Sequence, residues 1–306
     1  MRIIITGGTG FIGTALAKSL LLDGHQVWIL TRNPQTSHLP EGARGVSWDG
    51  RTTNGWESLV SQVDAIVNLA GESLGSGSWT KARKHRIVSS RVEAGRVVTE
   101  AIRKANPRPK VLIQASAVGF YGPHGSEVVT EDFSQGRGFL AEVCRDWEPS
   151  TQPVEQLGVR RVVVRTGVVL SKEDGALQRM LLPYKLFVGG PLGNGRQGFP
   201  WIHPADEVAG IRFLLENDQA TGVFNLSAPE PLSNADFGRI LARVIRRPYW
   251  FPVPAFAIRL LLGEMSTLVL DGQYMVPNRL LELGFRFRFE KAEPALWDLF
   301  VGSSHS

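Results

Sequence analysis

The segment Thr6-Gly7-Gly8-Thr9-Gly10-Phe11-Ile12-Gly13 constrains this chain more than any other. Ahead of it lies a short apolar run, Ile3–Thr6, that reads as a strand. Behind it Ile12, Ala15, Leu16, Ser19 and Leu20 repeat on one helical face until Gly24, a left-handed stop. Gly7, Gly10 and Gly13 thus sit in a strand–turn–helix unit at G-x-x-G-x-x-G spacing. Each has a task there. Gly7 permits the tight turn, Gly10 lets backbone approach a pyrophosphate, and Gly13 lets the helix pack closely on the sheet. The uncapped N–H groups and positive end of the helix then face the phosphates. A dinucleotide site is the expectation.

The end of the second strand discriminates between dinucleotides. An Asp or Glu about 20 residues after the glycines holds the ribose hydroxyls of NAD. Thr31-Arg32 stands at that place. A guanidinium grips a 2′-phosphate with paired hydrogen bonds where a carboxylate repels it, and Thr31 adds a hydroxyl. NADP(H) is the cofactor expected.

Apolar strands and amphipathic helices alternate through the first half: strands at Ile3–Thr6, Val27–Leu30, Ala65–Leu69, Val111–Ala115 and Val162–Arg165, with a long helix over Thr80–Lys104 stopped by Pro107. Near-continuous apolar strands suit a sheet covered on both faces. The predicted fold is α/β, a Rossmann doubly wound parallel sheet with a smaller C-terminal substrate lobe. Residues 1–170 form the cofactor-binding core and 205–227 return to it. Residues 171–204 and 228–300 form the lobe, and 302–306 a flexible tail. The Gly- and Pro-rich stretch Pro183–Pro204 reads as one long functional loop.

At 306 residues, 43% hydrophobic and 21% charged, the chain has an ordinary globular composition. The net charge of +5 is scattered. Its densest run, Lys81–Arg86, lacks interleaved aromatics and reads as a solvated helix face, so no nucleic-acid partner is expected. One cysteine, Cys144, and six histidines without a His-x-x-x-His pair point away from disulfides and zinc. Cys144 reads as a small buried hydrophobe. The best apolar stretch, Ala255–Leu270, is broken by Arg259 and Glu264, so no membrane partner is expected. The N-terminus enters the first strand at once. A cytoplasmic location follows, with a mitochondrial one left open.

Several motifs together carry a family resemblance: the glycine turn, Asn68-Leu69-Ala70-Gly71-Glu72, Ser90-Arg91, Ser116-Ala117-Val118-Gly119-Phe120-Tyr121-Gly122, Arg165-Thr166-Gly167-Val168-Val169-Leu170 and Trp201-Ile202-His203. They span residues 1–298. The chain resembles the atypical extended short-chain dehydrogenase/reductases of the NAD(P)-dependent epimerase/dehydratase family. The resemblance implies pyrophosphate contacts from Thr9, Gly10, Phe11 and Ile12. It implies ribose-phosphate contacts from Thr31 and Arg32, and an adenine neighbourhood at Trp48 and Asp49. Leu69, Ala70, Gly71 and Glu72 would line the ribose and nicotinamide side. Asn68 is open between direct contact and an amide bridge to neighbouring strands. A homodimer through helices is likewise open.

The superfamily's proton transfer uses a Ser or Thr, a Tyr, and a Lys four residues after the Tyr. Ser116 fits the first role. The Tyr would fall near Phe139–Cys144, where none stands. The four tyrosines, Tyr121, Tyr184, Tyr249 and Tyr274, are followed four positions on by Gly125, Val188, Val253 and Asn278. The usual dyad is absent. Ser116 and Tyr121 are the substitute catalytic candidates, and Glu72 and Arg91 lie where they could approach the nicotinamide side. His203 and Asp206 read as the loop closing the site, with Asp206 also an N-cap candidate. Trp147-Glu148-Pro149 and Pro153 should kink or end a helix. Two readings result. One is an NADP(H)-dependent oxidoreductase or epimerase-like enzyme acting on an unknown small-molecule substrate. The other is a non-catalytic NADP(H)-binding regulator or redox sensor.

Overall fold

A computed structural model of the chain describes residues 1–35 and 38–302; the expected tail at 303–306 lies outside them. Seven parallel strands form the central sheet: β1 (Arg2–Thr6), β2 (Gln26–Thr31), β3 (Arg44–Ser47), β4 (Ala65–Asn68), β5 (Val111–Ala117), β6 (Arg160–Thr166) and β7 (Gly222–Leu226), in spatial order β7-β6-β5-β4-β1-β2-β3. The order reverses between β1 and β4, which pair Ile3 with Ala65 through Thr6 with Asn68. Alternation of side chains along a strand explains the two layers. Ile3 and Ile5 join Leu16 and Leu20 of α1 (Phe11–Leu22), while Ile4 joins Val98 and Ile102 of α2 (Lys81–Lys104) on the opposite face. Both layers exclude water from the β1 isoleucines completely.

α2 starts at Thr80, whose hydroxyl accepts the Arg83 amide N–H at 3.2 Å. α3 (Phe139–Trp147) ends where the prolines begin, and a 3₁₀ run follows over Glu148–Leu157. Pro149 has no N–H to continue the α-helix, and the tighter run turns Glu148 toward β6.

The Pro183–Pro204 stretch is not a single loop. α4 (Gly175–Lys185) runs through Pro183, and short strands follow at Gly198–Phe199 and Trp201–Ile202. Leu177, Leu181 and Tyr184, three and four residues apart, bury one helical face in the lobe core with Trp201, Phe237 and Leu241. That burial outweighs the proline. α5 (Pro204–Glu216) packs on α1, and β7 follows it into the sheet. α6 (Asn234–Val244), α7 (Ala255–Leu262) and α8 (Ala292–Phe300) complete the lobe. No described helix is long and apolar enough to cross a membrane.

Candidate active site

The site begins at the carboxyl ends of β1 and β4, where the strand order reverses and a crevice opens. Gly7 turns the chain with φ +68°. A Cβ there would stand 2.6 Å from the Leu69 carbonyl oxygen, and one on Gly13 would stand 2.4 Å from the Gly7 oxygen. The Gly10 N–H donates to the Gly7 oxygen at 3.0 Å, closing the turn. Gly10 caps α1 without a side chain, and the first turn holds no acid. The amides at the helix start are therefore open, and Thr9, Gly10 and Phe11 are exposed. A backbone-built turn at an uncapped helix start is the geometry that suits a phosphate.

Arg32 lies exposed just past β2 and has no ion-pair partner among the described residues. The Thr31 hydroxyl accepts the Asn33 amide at 3.4 Å, and the Thr31 carbonyl accepts the Trp48 amide at 2.9 Å, so the ends of β2 and β3 stand together. The Trp48 ring, expected beside an adenine, turns inward instead. It is buried against Trp56 at 5.9 Å, and its indole N–H donates to the Thr52 carbonyl. Asp49 accepts the Arg51 and Thr52 amides at 2.8 Å each, which hold its carboxyl below the usual range. At Trp48 and Asp49, side chains stabilise the turn and leave backbone to the crevice.

Asn68 bridges strands. It accepts the Thr6 hydroxyl at 2.6 Å and donates to Gln114 at 2.8 Å, linking β1, β4 and β5. The Thr6 oxygen in turn accepts the Ala70 amide, which fixes Leu69–Gly71 over the crevice floor. The Glu72 carboxylate pairs with Arg83 at 3.1 Å and Arg86 at 3.4 Å. Arg91 supports the same loop from below. Its guanidinium donates to the Glu72 and Ile87 carbonyls at 3.0 and 2.9 Å and lies over the Trp147 ring. Burial pulls Arg91 below its ordinary pKa. The basic run is thus only half solvated: Arg83 is buried, also holding the Ser73 carbonyl and the Ser76 hydroxyl.

Ser116 and Tyr121 belong to one closed polar network. The Ser116 hydroxyl donates to Glu148 at 2.6 Å. Arg165 grips the two oxygens of Glu148 at 2.9 and 3.0 Å and donates its third nitrogen to the Tyr121 hydroxyl at 3.0 Å. Tyr121 then donates to Asn225 at 2.7 Å. Tyr121 is completely buried, which pushes its pKa up. Its expected approach to the crevice surface is corrected accordingly: the ring fills the interior, and both hydrogen-bonding directions of the hydroxyl are taken. The segment Phe139–Cys144, where the usual Tyr was expected, forms the start of α3. Leu140 packs on Gly119, and burial raises the Cys144 thiol to about 11.

The loop before α5 also differs from expectation. His203, not Asp206, caps the helix, its Nδ1 accepting the Ala205 amide at 3.1 Å. Asp206 accepts the Arg288 and Phe289 amides at 2.7 and 2.9 Å, tying the C-terminal segment to the core. Sequence reasoning missed Glu148, Asn225 and Glu207. Glu207 is buried beside Thr166, whose hydroxyl donates to it at 2.9 Å. Its other oxygen has no partner, and burial raises the carboxyl to about 8.

Fold and cradle define a nucleotide-binding α/β protein, and comparison with known proteins sharpens that. Residues 3–227 match the NAD dependent epimerase/dehydratase family, and residues 253–299 match the Domain of unknown function (DUF1731). The chain belongs to the epimerase/dehydratase family, as an atypical extended short-chain dehydrogenase/reductase. It is 42% identical over 304 residues to the epimerase family protein YfhF of Bacillus subtilis, covering 98% of each chain. The crystal structure of human epimerase family protein SDR39U1 with NADPH superposes with a TM-score of 0.86 at 32% identity, over 98% of this chain and 99% of that one. A nucleoside-diphosphate sugar epimerase from Corynebacterium glutamicum gives a TM-score of 0.78 at 34% identity, over 97% of this chain and 57% of that one.

Proposed function

We propose that the chain binds NADP(H) and acts as an oxidoreductase or epimerase-like enzyme on a small hydroxyl or carbonyl substrate. One pair of observations carries the cofactor: the close-packed glycine turn at Gly7, Gly10 and Gly13, and an exposed Arg32, without an ion pair among the described residues, where an NAD binder would carry a carboxylate. The human relative of similar fold was solved with NADPH. Backbone amides of Thr9–Ile12 hold the pyrophosphate, Thr31 and Arg32 the ribose 2′-phosphate, and Leu69–Glu72 the nicotinamide side. The bound cofactor supplies hydride transfer.

The chain's own part is placement. Ser116, at the carboxyl end of β5, is held in place by donating its hydroxyl to Glu148. Tyr121 serves as a positioning residue, holding Arg165 and through it Glu148. A second reading, a non-catalytic NADP(H)-binding regulator, draws on the sequence: no Tyr is followed by a Lys four positions on.

Titration with NADPH and NADH tests the cofactor. Arg32→Ala should lose NADPH affinity about tenfold or more, with NADH affinity nearly unchanged. Equal losses would sink the 2′-phosphate assignment. NADPH turnover on a panel of aldehydes, ketones and sugar nucleotides separates the two readings. Tight binding with no turnover on any of them favours the regulator.

A further inference from the structure

The outer face of the C-terminal lobe is apolar and unpartnered. α7 buries only Ile258. Phe256 is 72% exposed, Leu260 88% and Leu261 82%. Beside them stand Trp250 at 72%, Phe251 at 59% and Phe187 at 53%. Hydrogen bonds join Phe187, Trp250 and Phe251, and α7 begins four residues after Phe251. The Trp250 indole N–H donates to the Phe187 carbonyl at 2.8 Å, and the Trp250 and Phe251 amides both reach the Gly189 carbonyl. Single exposed apolar residues are normal, but a contiguous patch marks an interaction site.

Backbone geometry singles out the same face. Among the described residues, the only non-glycine positions in the left-handed region are Phe187 at φ +63° and Arg246 at φ +53°. Phe187 follows the end of α4, where glycine or asparagine is the unstrained choice. The Arg247 guanidinium lies 4.8 Å from the Phe187 ring centroid. An aromatic ring and a cation are therefore held on the surface against local backbone preference, which is how strained functional positions present themselves.

Charge then selects the partner. Segments 182–191 and 245–263 contain Lys185, Arg246, Arg247 and Arg259 and no Asp or Glu. Asp271 lies near Arg259, but Lys185, Arg246 and Arg247 have no ion pair among the described residues. Two copies of this face would meet cation to cation. We propose that the face docks on an anionic lipid surface, with its aromatic and leucine side chains at the headgroup–acyl boundary and its cations over the headgroups. Such contact lies in the plane of the interface and requires no spanning helix.

Cosedimentation of the full chain with phosphatidylcholine vesicles, with and without phosphatidylglycerol, tests this. Binding is expected to the anionic vesicles only, and to weaken with salt. Trp250→Ser with Phe256→Ser should cut it at least about tenfold at unchanged Tm. Arg246→Gln with Arg247→Gln should cut it about five-fold per arginine. Phe187→Gly should raise Tm while weakening vesicle binding, opposite changes that a purely structural role would not give. Three results overturn the proposal. They are absence of binding to both vesicles, equal binding to both, and a dimer in sedimentation velocity that Trp250→Ser dissociates.

Discussion

At Arg165 one side chain organises most of the polar interior beneath the crevice. Its planar fork matches the Glu148 carboxylate, and its remaining nitrogen fixes Tyr121. Cutting one partner from a buried pair leaves a charge uncompensated. Arg165→Met should therefore destabilise the fold by about 3–5 kcal/mol in urea unfolding. Tyr121→Phe should cost about 1–3 kcal/mol, because Asn225 and Arg165 each lose a buried partner. NADPH affinity should stay within about two-fold in the Tyr121 variant, since the hydroxyl is sealed from the crevice. A Tyr121→Phe protein of full stability but altered turnover would assign the hydroxyl a chemical role instead. The cradle glycines are legible in the sequence because their logic is local. Glu148 is not, because its partner lies 17 residues away on another element and its own segment reads only as a proline-broken helix.

Among the elements, α5 and its cap carry buried titratable groups shifted in opposite senses: burial raises Asp206 and Glu207 in the helix and lowers His203 at its N-cap. Glu207 is neutral in the folded state up to about pH 8, whereas an unfolded Glu ionises near its ordinary 4.5. The folded chain then binds the extra proton, so stability falls as pH rises from about 4.5 to 8, by on the order of 5 kcal/mol in total. His203 is lowered to about 4 from 6.5, chiefly by burial, so its stabilising effect is lost as pH falls through that window. With Nδ1 accepting from the cap, the neutral ring carries its proton on Nε2, 3.4 Å from Asp298. Below about pH 6.5 the two effects oppose each other, so unfolding free energies should decline between about pH 6.5 and 8 and level off above it, and Glu207→Gln should remove that decline. An unchanged decline in the variant would remove Glu207 as its source. The helix itself is legible from its apolar period. Its cap is not, because Asp206 looks the better N-cap residue, and only the fold reveals that the Arg288 and Phe289 amides compete for it.

On the scale of the whole molecule, parallel strands and two-sided burial follow from the apolar runs, whereas the seam between core and lobe follows from contacts distant in sequence. Arg279 donates to the Val223 carbonyl at 2.6 Å, Asn225 to the Val276 carbonyl and Ser227 to the Met275 carbonyl, each at 3.0 Å. Glu131 accepts the Asn225 amide, so β7 is held from both sides. No local pattern announces such bonds. They predict that a chain truncated after residue 252 will leave the β7 edge and Asp206 with unmet polar groups. Such a chain should lose cooperative urea unfolding and become protease-sensitive throughout; a truncated protein with a sharp transition would contradict this. The stitching of the last fifty residues onto β7 also bears on synthesis at the ribosome. The sheet gains its edge strand, which pairs with β6, only after about three-quarters of these 306 residues, and the bonds on that strand's other side form only when the C-terminal segment follows. Until that segment is in place the chain holds an open sheet edge, the kind of unpaired strand that exposes partly folded forms to pairing with one another.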